Sequence, residues 1–480
     1  MLNKLIVIIT LPGVFCLSAC EILSIPIDST IRSIERNQDR LEVTKDGHYL
    51  KQNYGKPFFW LGDTGWELFH RLNKDQIEYY LENRRKKGFN VIQAVILAEF
   101  DGLRKPNIYG EVPLISMDPT KPNKRYFDLV DWTINQAYDK DMFMGLLPTW
   151  GDKVTLLWGT GPVVFNESNA YSYGLFLGKR YKTYSNIIWI LGGDRPPKND
   201  TADWRPIWRA MAKGINKGTE DKAIFSYHIS GGEHSTSYDL NNEDWLHINM
   251  MQSGHGSGHD VPVWNWIERD RNLLPAKPTL DSEPNYEDHP VNPWPKWDSA
   301  NGYFRDYDVR KQTYRSVFAG ACGVTYGHHS VWQFWSPGEE KINHADRYWT
   351  DALDRPGAFQ VGYLKKLIES RSVTGRIPDQ SIVKEGQGEK GEYVAAFRDG
   401  ENKYCMLYMP VGKKISVDLS FLPSKQIRAW WFNPKSGKSG KSIELKKEAI
   451  MVFTPPTTGI ENDWVLVLDD AATNFFEPGK

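Results

Sequence analysis

Two carboxylates, Asp194 and Glu283, each stand just past a run that reads as a buried strand. The first run is Asn186-Ile-Ile-Trp-Ile-Leu-Gly-Gly-Asp194-Arg195; the second is Lys277-Pro-Thr-Leu-Asp-Ser-Glu283-Pro-Asn-Tyr286-Glu287. Continuous apolar runs of this length suit strands covered on both faces. The glycines and the proline that flank the acids turn the chain at the strand end. Cleavage of a sugar acetal needs one protonated carboxyl to give its proton to the leaving oxygen. It needs a second, ionised carboxyl to attack or to activate water. A lone acid at a strand end is ordinarily a helix cap or a surface charge, but two at matching positions point to a shared site. Glu287, four residues beyond Glu283, is the rival for its role and is expected instead to orient a ring or bind a hydroxyl. Arg195 poses a conflict, because a guanidinium nearby lowers a carboxyl pKa whereas a general acid needs it raised. Arg195 is therefore expected to point away from Asp194, or to be outweighed by an ionised Glu283.

The chain has to bring these acids together with alternating elements. Strand-like runs end at Trp66, Leu97, Asp152, Asp194, His228, His255, Glu283 and His329. Helix-like stretches fall between them, at 74–87 with Asn73 as cap, 127–140, 169–184, 201–214, 263–272 and 308–319. Eight such repeats predict an α/β fold, a (β/α)8 TIM barrel, with the site at the C-terminal ends of the strands. Ahead of them, Leu41 to Gln52 reads as a hairpin about Asp46-Gly47. After Gly375 short strands follow one another without helices, as in an antiparallel β-sandwich. The expected division is a leader over 1–19, a tether over 20–38, the barrel with its hairpin over 39–375 and the sandwich over 376–480.

Several longer motifs are then distinctive. Trp60-Leu-Gly-Asp63-Thr-Gly-Trp66, Pro148-Thr-Trp150-Gly, Ile190-Leu-Gly-Gly-Asp-Arg195, Leu280-Asp-Ser-Glu-Pro-Asn-Tyr-Glu287 and Gly323-Val-Thr-Tyr326-Gly-His328 resemble the apiosidase-like domain of glycoside hydrolase family 140. The C-terminal part resembles the small β-domain, named for collagen binding, that commonly follows it. The resemblance spans roughly 38–470. It implies Asp194 as acid/base, Glu283 as nucleophile and an apiose-containing substrate such as a side chain of the pectin rhamnogalacturonan II. The chain departs from the family in one place: Ile229-Ser-Gly-Gly follows His228 where the family carries proline. Position at the strand ends adds candidate substrate contacts: Asp63, Trp66, Trp150, Asp152, Arg195, His228, Gln252, His255, Tyr286, Glu287 and Tyr326. Whether configuration is retained or inverted stays open on the residues alone. So does the rival class, a surface glycan- or protein-binding lipoprotein on an inactive barrel.

Composition narrows the remaining classes. A net charge of −1 over 480 residues, with no basic stripe, argues against nucleic acid as partner. Nineteen Trp, 23 Tyr and 21 Phe supply core packing and leave rings for sugar faces. His255-Gly-Ser-Gly-His259 and His328-His329 are weak metal signals without a helix to fix their spacing. No metal or other cofactor is expected, and no nucleophile elbow, phosphate loop or dinucleotide fingerprint stands out. Lys4 and the apolar run Leu5 to Leu17 form a leader. Leu17-Ser-Ala-Cys20 resembles a bacterial lipobox, which implies a lipid on Cys20 and a place in the cell envelope, periplasmic or at the outer surface. Cys322 and Cys405 are expected as buried free thiols.

Overall fold

The computed structural model describes residues 40–232 and 234–480. The leader, Cys20 and the expected tether lie outside the described residues. Leu41–Val43 pairs antiparallel with Leu50–Gln52, and Gly47 turns the hairpin with φ +77°. Eight parallel strands follow: Trp60–Thr64, Val91–Val95, Phe143–Leu147, Ile187–Leu191, Phe225–Tyr227, Asn249–Met251, Thr279–Asp281 and Gly323–Tyr326. The eighth pairs with the first, Gly323 beside Trp60, and a parallel bridge between Ser226 and Ile248 joins the fifth to the sixth. The ring therefore closes as a (β/α)8 barrel.

The helices form where the pattern predicts, with shifted ends. Lys74–Lys86 starts at Asn73, whose side chain accepts from the Gln76 amide while Gln76 reaches back. Arg205–Thr219 starts later than expected because Pro206 takes its first turn, where no amide is needed. Pro356–Glu369 is a helix the pattern does not suggest; two one-turn helices, His329–Trp332 and Trp349–Ala352, and the loops around them separate it from the eighth strand.

Alternation along each strand sorts the side chains into two layers. Trp60, Val91, Val95, Phe143, Leu147, Ile188, Ile190, Met250 and Leu280 pack together inside the barrel. Leu61, Ile92, Met144, Leu146, Trp189, Leu191, Phe225, Val324 and Tyr326 pack outward against helices. Because Trp60 points inward, Asp63 must point outward. There its carboxylate takes Arg84 Nε at 2.6 Å and the Tyr80 hydroxyl at 2.5 Å, fully buried. Asp63 is thus a wall residue and no substrate contact. Arg84→Met would strand that carboxylate, at an expected cost of about 3–5 kcal/mol. A urea midpoint close to wild type would contradict this.

Beyond the barrel, seven strands form one antiparallel sheet and three form another, with Cys405, Leu407, Val417, Ile427 and Leu466 between them. Arg376–Pro378 is a strand the pattern did not suggest, and Gln380–Ile382 is a 3-10 turn ahead of strand Val383–Glu385. The larger sheet covers the helix Asp306–Phe318. Tyr408 stacks on Tyr314 at 4.7 Å, and Asp463 accepts from Arg310 Nε at 2.9 Å. This is why that helix buries Arg310 and Arg315, whereas Lys311 and Gln312 are buried on its barrel side against Asp260 and Ser253. Cys322 and Cys405 are buried free thiols.

Candidate active site

At the C-terminal ends of the strands lies a cleft of about 710 Å³ that holds both Asp194 and Glu283. Trp66, Trp150, Gln252, His255 and Tyr286 also line it, as their positions at strand ends predict. A second hollow, about 390 Å³, sits at the opposite end of the barrel against Phe58, Asn90 and Asn186. It lacks the paired strand-end acids and the indole rings that suit a sugar face.

The turn that presents Asp194 explains its two glycines. Gly192 and Gly193 have φ +91° and +56°, and a Cβ on Gly193 would lie 2.5 Å from the Gly151 amide nitrogen. Only glycine lets the third and fourth strand ends approach this closely. Asp194 itself sits at φ +59°, a left-handed position that Asp tolerates better than most residues. One carboxylate oxygen accepts from Trp158 Nε1 at 3.0 Å and lies 3.3 Å from Arg195 Nη1. Arg195 therefore does not point away. Burial, and then the charge of Glu283, outweigh it and push the Asp194 carboxyl up to about 6, against His228, Arg195 and the Trp158 donor.

Glu283 experiences the reverse balance. Its Oε2 lies 2.8 Å from His228 Nε2 and its Oε1 lies 3.1 Å from His255 Nε2. Burial would raise the carboxyl, but the two imidazoles override it and hold it down to about 2. Both rings are braced: His228 meets Trp66 edge to face at 5.2 Å, and His255 stacks on His289 at 4.1 Å. The result is one carboxyl that keeps its proton to a higher pH beside one that stays ionised, in a single cleft, as acetal cleavage requires. Trp150 Nε1 and Gln252 Oε1 are buried without a hydrogen-bond partner among the described residues, which marks them as ready for ligand groups.

Five other expected contacts lie off the cleft. Asp152 is paired with Lys153 at 2.7 Å and accepts from the Gly161 amide at 2.8 Å, so it anchors the loop that carries Trp158. Arg195 is buried beneath that loop, donating to the Trp158 carbonyl at 2.5 Å with its guanidinium over the Trp158 ring. His228 stands behind Glu283 and is fully buried. Tyr326 points outward, like Asp63, and donates to Glu287 at 2.6 Å. Glu287 also accepts from the Gly357 amide, and burial pushes it up to about 7. It orients a ring in the barrel wall and is no rival to Glu283.

Residue position alone missed Glu99, Trp158, His289, Trp294 and Trp332, all in the cleft wall. Glu99 follows the second strand much as Asp194 follows the fourth, and that was the available signal. Trp158, His289 and Trp294 sit in loops whose course no local pattern specifies, and Trp332 ends the one-turn helix His329–Trp332.

A family model described as the apiosidase-like catalytic domain matches residues 44–374. A model named for the collagen-binding domain of a collagenase matches residues 377–469. Among solved structures, one named glycoside hydrolase is 35% identical over 92% of this chain and 98% of its own, with a TM-score of 0.82. A glycoside hydrolase family 5 structure from Bacteroides vulgatus ATCC 8482 is 33% identical over 92% of this chain and 95% of its own, with a TM-score of 0.83. No curated protein matches.

Proposed function

The chain belongs to the apiosidase-like family of catalytic domains and is a glycoside hydrolase; from that premise we propose a retaining apiosidase of glycoside hydrolase family 140, acting on apiose-bearing side chains of pectin. Asp194 protonates the glycosidic oxygen while Glu283 attacks the anomeric carbon. Water, deprotonated by Asp194, then releases the sugar and frees Glu283. The observation that carries this reading is the placement of Asp194 and Glu283 in one cleft at the strand ends, Asp194 beneath the Trp158 N–H and Glu283 between two imidazoles. Incubation with plant-wall oligosaccharides, with the released sugar identified by chromatography and its first-formed anomer by proton NMR, tests it. Free apiose of unchanged configuration is expected; release of the opposite anomer would end the double-displacement account.

A second reading keeps the hydrolysis and changes the sugar. Ile229-Ser-Gly-Gly, where the chain departs from its family, contributes Gly231 and Gly232 to the cleft wall. This favours another furanose or a pyranose as the alternative product of the same incubation. The leader and Cys20 extend the reading to a lipid-anchored enzyme of the bacterial envelope. Metabolic labelling with a fatty acid, lost in Cys20→Ser, checks that.

Trp158 offers a finer test of Asp194. Its N–H stabilises the ionised carboxylate, so Trp158→Phe raises the Asp194 pKa further. The alkaline limb of kcat/KM then moves to higher pH. Activity at pH 7.5 relative to pH 5 is expected to rise roughly threefold, the size of one hydrogen bond. An unmoved limb would remove Asp194 as the proton donor.

A further inference from the structure

His255 reaches Glu283 from an unfavourable backbone. Its φ is +81°, a left-handed position that a ring-bearing residue seldom takes and that persists only where its surroundings over-determine it. Those surroundings are specific. The His255 amide donates to Asn285 Oδ1 at 3.0 Å, and the His255 carbonyl accepts from the Asn292 amide at 3.2 Å. Asn285 is 1% exposed and donates its own Nδ2 to the Gly258 carbonyl at 3.1 Å. It is seated in turn from the helix Asp306–Phe318: Gln312 Oε1 accepts from the Asn285 amide at 2.9 Å, and Gln312 Nε2 donates to Ser253 Oγ at 2.5 Å. Ser253 then donates to Asp281 at 2.6 Å. The ends of the sixth and seventh strands lie this close because residue 254 is glycine, where a Cβ would collide with the Pro284 carbonyl.

The contacts of the ring itself do not replace this clamp. Stacking on His289 at 4.1 Å and the edge contact with Tyr286 at 4.5 Å limit the tilt of the imidazole but let it slide along its own plane. How far Nε2 reaches toward Glu283 Oε1, 3.1 Å away, is set by the backbone. Glu283 also faces Asp194, His228 and Tyr286, so the clamp governs one neighbour among these. We propose that Asn285 is a positioning residue for the nucleophile: it pins His255 in the left-handed conformation that brings Nε2 to Glu283, and Gln312 holds Asn285 in place from the helix. This rests on Glu283 being the nucleophile of the proposed hydrolase and adds the group that keeps its histidine partner within reach. Without the clamp the His255 backbone relaxes, the ring withdraws, and Glu283 loses one of the two imidazoles that orient it and hold its charge.

Asn285→Ala, His255→Gly and the double variant, each in the full chain, test this against the wild type. Glycine removes the ring and takes φ +81° without strain, so it reports the loss of the ring alone. On the glycoside that the wild type hydrolyses best, Asn285→Ala is expected to lower kcat about 10- to 100-fold with KM within about threefold, because the misplaced group serves the reaction and not binding. The acid limb of kcat moves up by about one pH unit, the size of one lost hydrogen bond to a charged group. His255→Gly shows the same two changes. Adding Asn285→Ala to it alters kcat by no more than about threefold, because a residue that acts through His255 then has nothing to act on. A second readout needs no turnover. In 15N–1H spectra of histidine-labelled protein, the His255 Nε2 signal is identified by its absence in His255→Gly. It is expected to shift in Asn285→Ala as it does in Glu283→Gln. Should the alanine variant fail to fold, Asn285→Ser, too short to reach the His255 amide, takes its place with the same expectations. Unchanged kcat and acid limb in a folded variant, a loss confined to KM, a full further loss in the His255→Gly background, or an unmoved His255 signal each overturn the proposal. A chain that hydrolyses no glycoside overturns the proposed function instead, and the spectra then decide the clamp.

Discussion

Glu283→Gln is expected to stop turnover, lowering kcat by at least about 10⁴-fold, as loss of a covalent nucleophile does. The amide keeps the shape of the side chain but has no electron pair able to form a stable glycosyl ester. It also loses the charge that His228 and His255 hold at 2.8 and 3.1 Å. Removing that charge has a second consequence, because ionised Glu283 is the largest charge effect raising Asp194. In the variant the Asp194 carboxyl falls toward its ordinary range, so any residual activity has its alkaline limb at lower pH. Pre-steady-state kinetics on an aryl glycoside, together with a thermal melt to confirm folding, measure both effects. More than about one per cent of wild-type kcat in a folded Glu283→Gln protein would exclude Glu283 as the nucleophile.

Asp194→Ala separates the two chemical steps. A natural glycoside has a poor leaving group and needs the proton, so its hydrolysis is expected to fall by about 10²–10⁴-fold. An aryl glycoside with a good leaving group does not need the proton to leave. With it the first step survives, the second lacks its base, and a glycosyl-enzyme accumulates. Azide, a nucleophile that needs no base, then restores turnover and yields a glycosyl azide with the configuration of the substrate. An azide product of inverted configuration, or no rescue, would contradict the double displacement. The pH dependence follows with its sign: in the wild-type protein, activity falls as pH rises through about 6, because Asp194 loses the proton it must give. It falls at the acid end as Glu283 gains a proton near 2. Asp194→Ala loses the alkaline limb on the aryl substrate.

The Trp60-to-Trp66 motif shows how far local pattern reaches. Period-two alternation already contained the answer for Asp63: with Trp60 turned inward, the third residue on must face the helices. The same count places Tyr326 in the outer layer, away from the cleft. A strand end is not a single location: successive residues there face opposite sides, so Asp63 and Tyr326 belong to the wall although they end strands that open on the cleft. Arg195 and Asp152 misled for a different reason. Both stand beside cleft residues in the chain, yet a charged side chain long enough to reach the cleft is also long enough to fold beneath a loop and hold it. Which of these happens depends on Trp158, some six residues after Asp152 and far from Arg195 in sequence.

Residue type and spacing were enough for the barrel, for the β-sandwich after it and for the two acids at their strand ends. Apolar periodicity and glycine placement are local signals, and a parallel ring has few ways to close. Spacing could not show that the Asp194 carboxyl is raised while that of Glu283 is lowered, or that Glu99 shares their cleft. Those properties come from burial and from charges brought within a few ångströms by strands distant in sequence, and such distances exist only once the ring has closed.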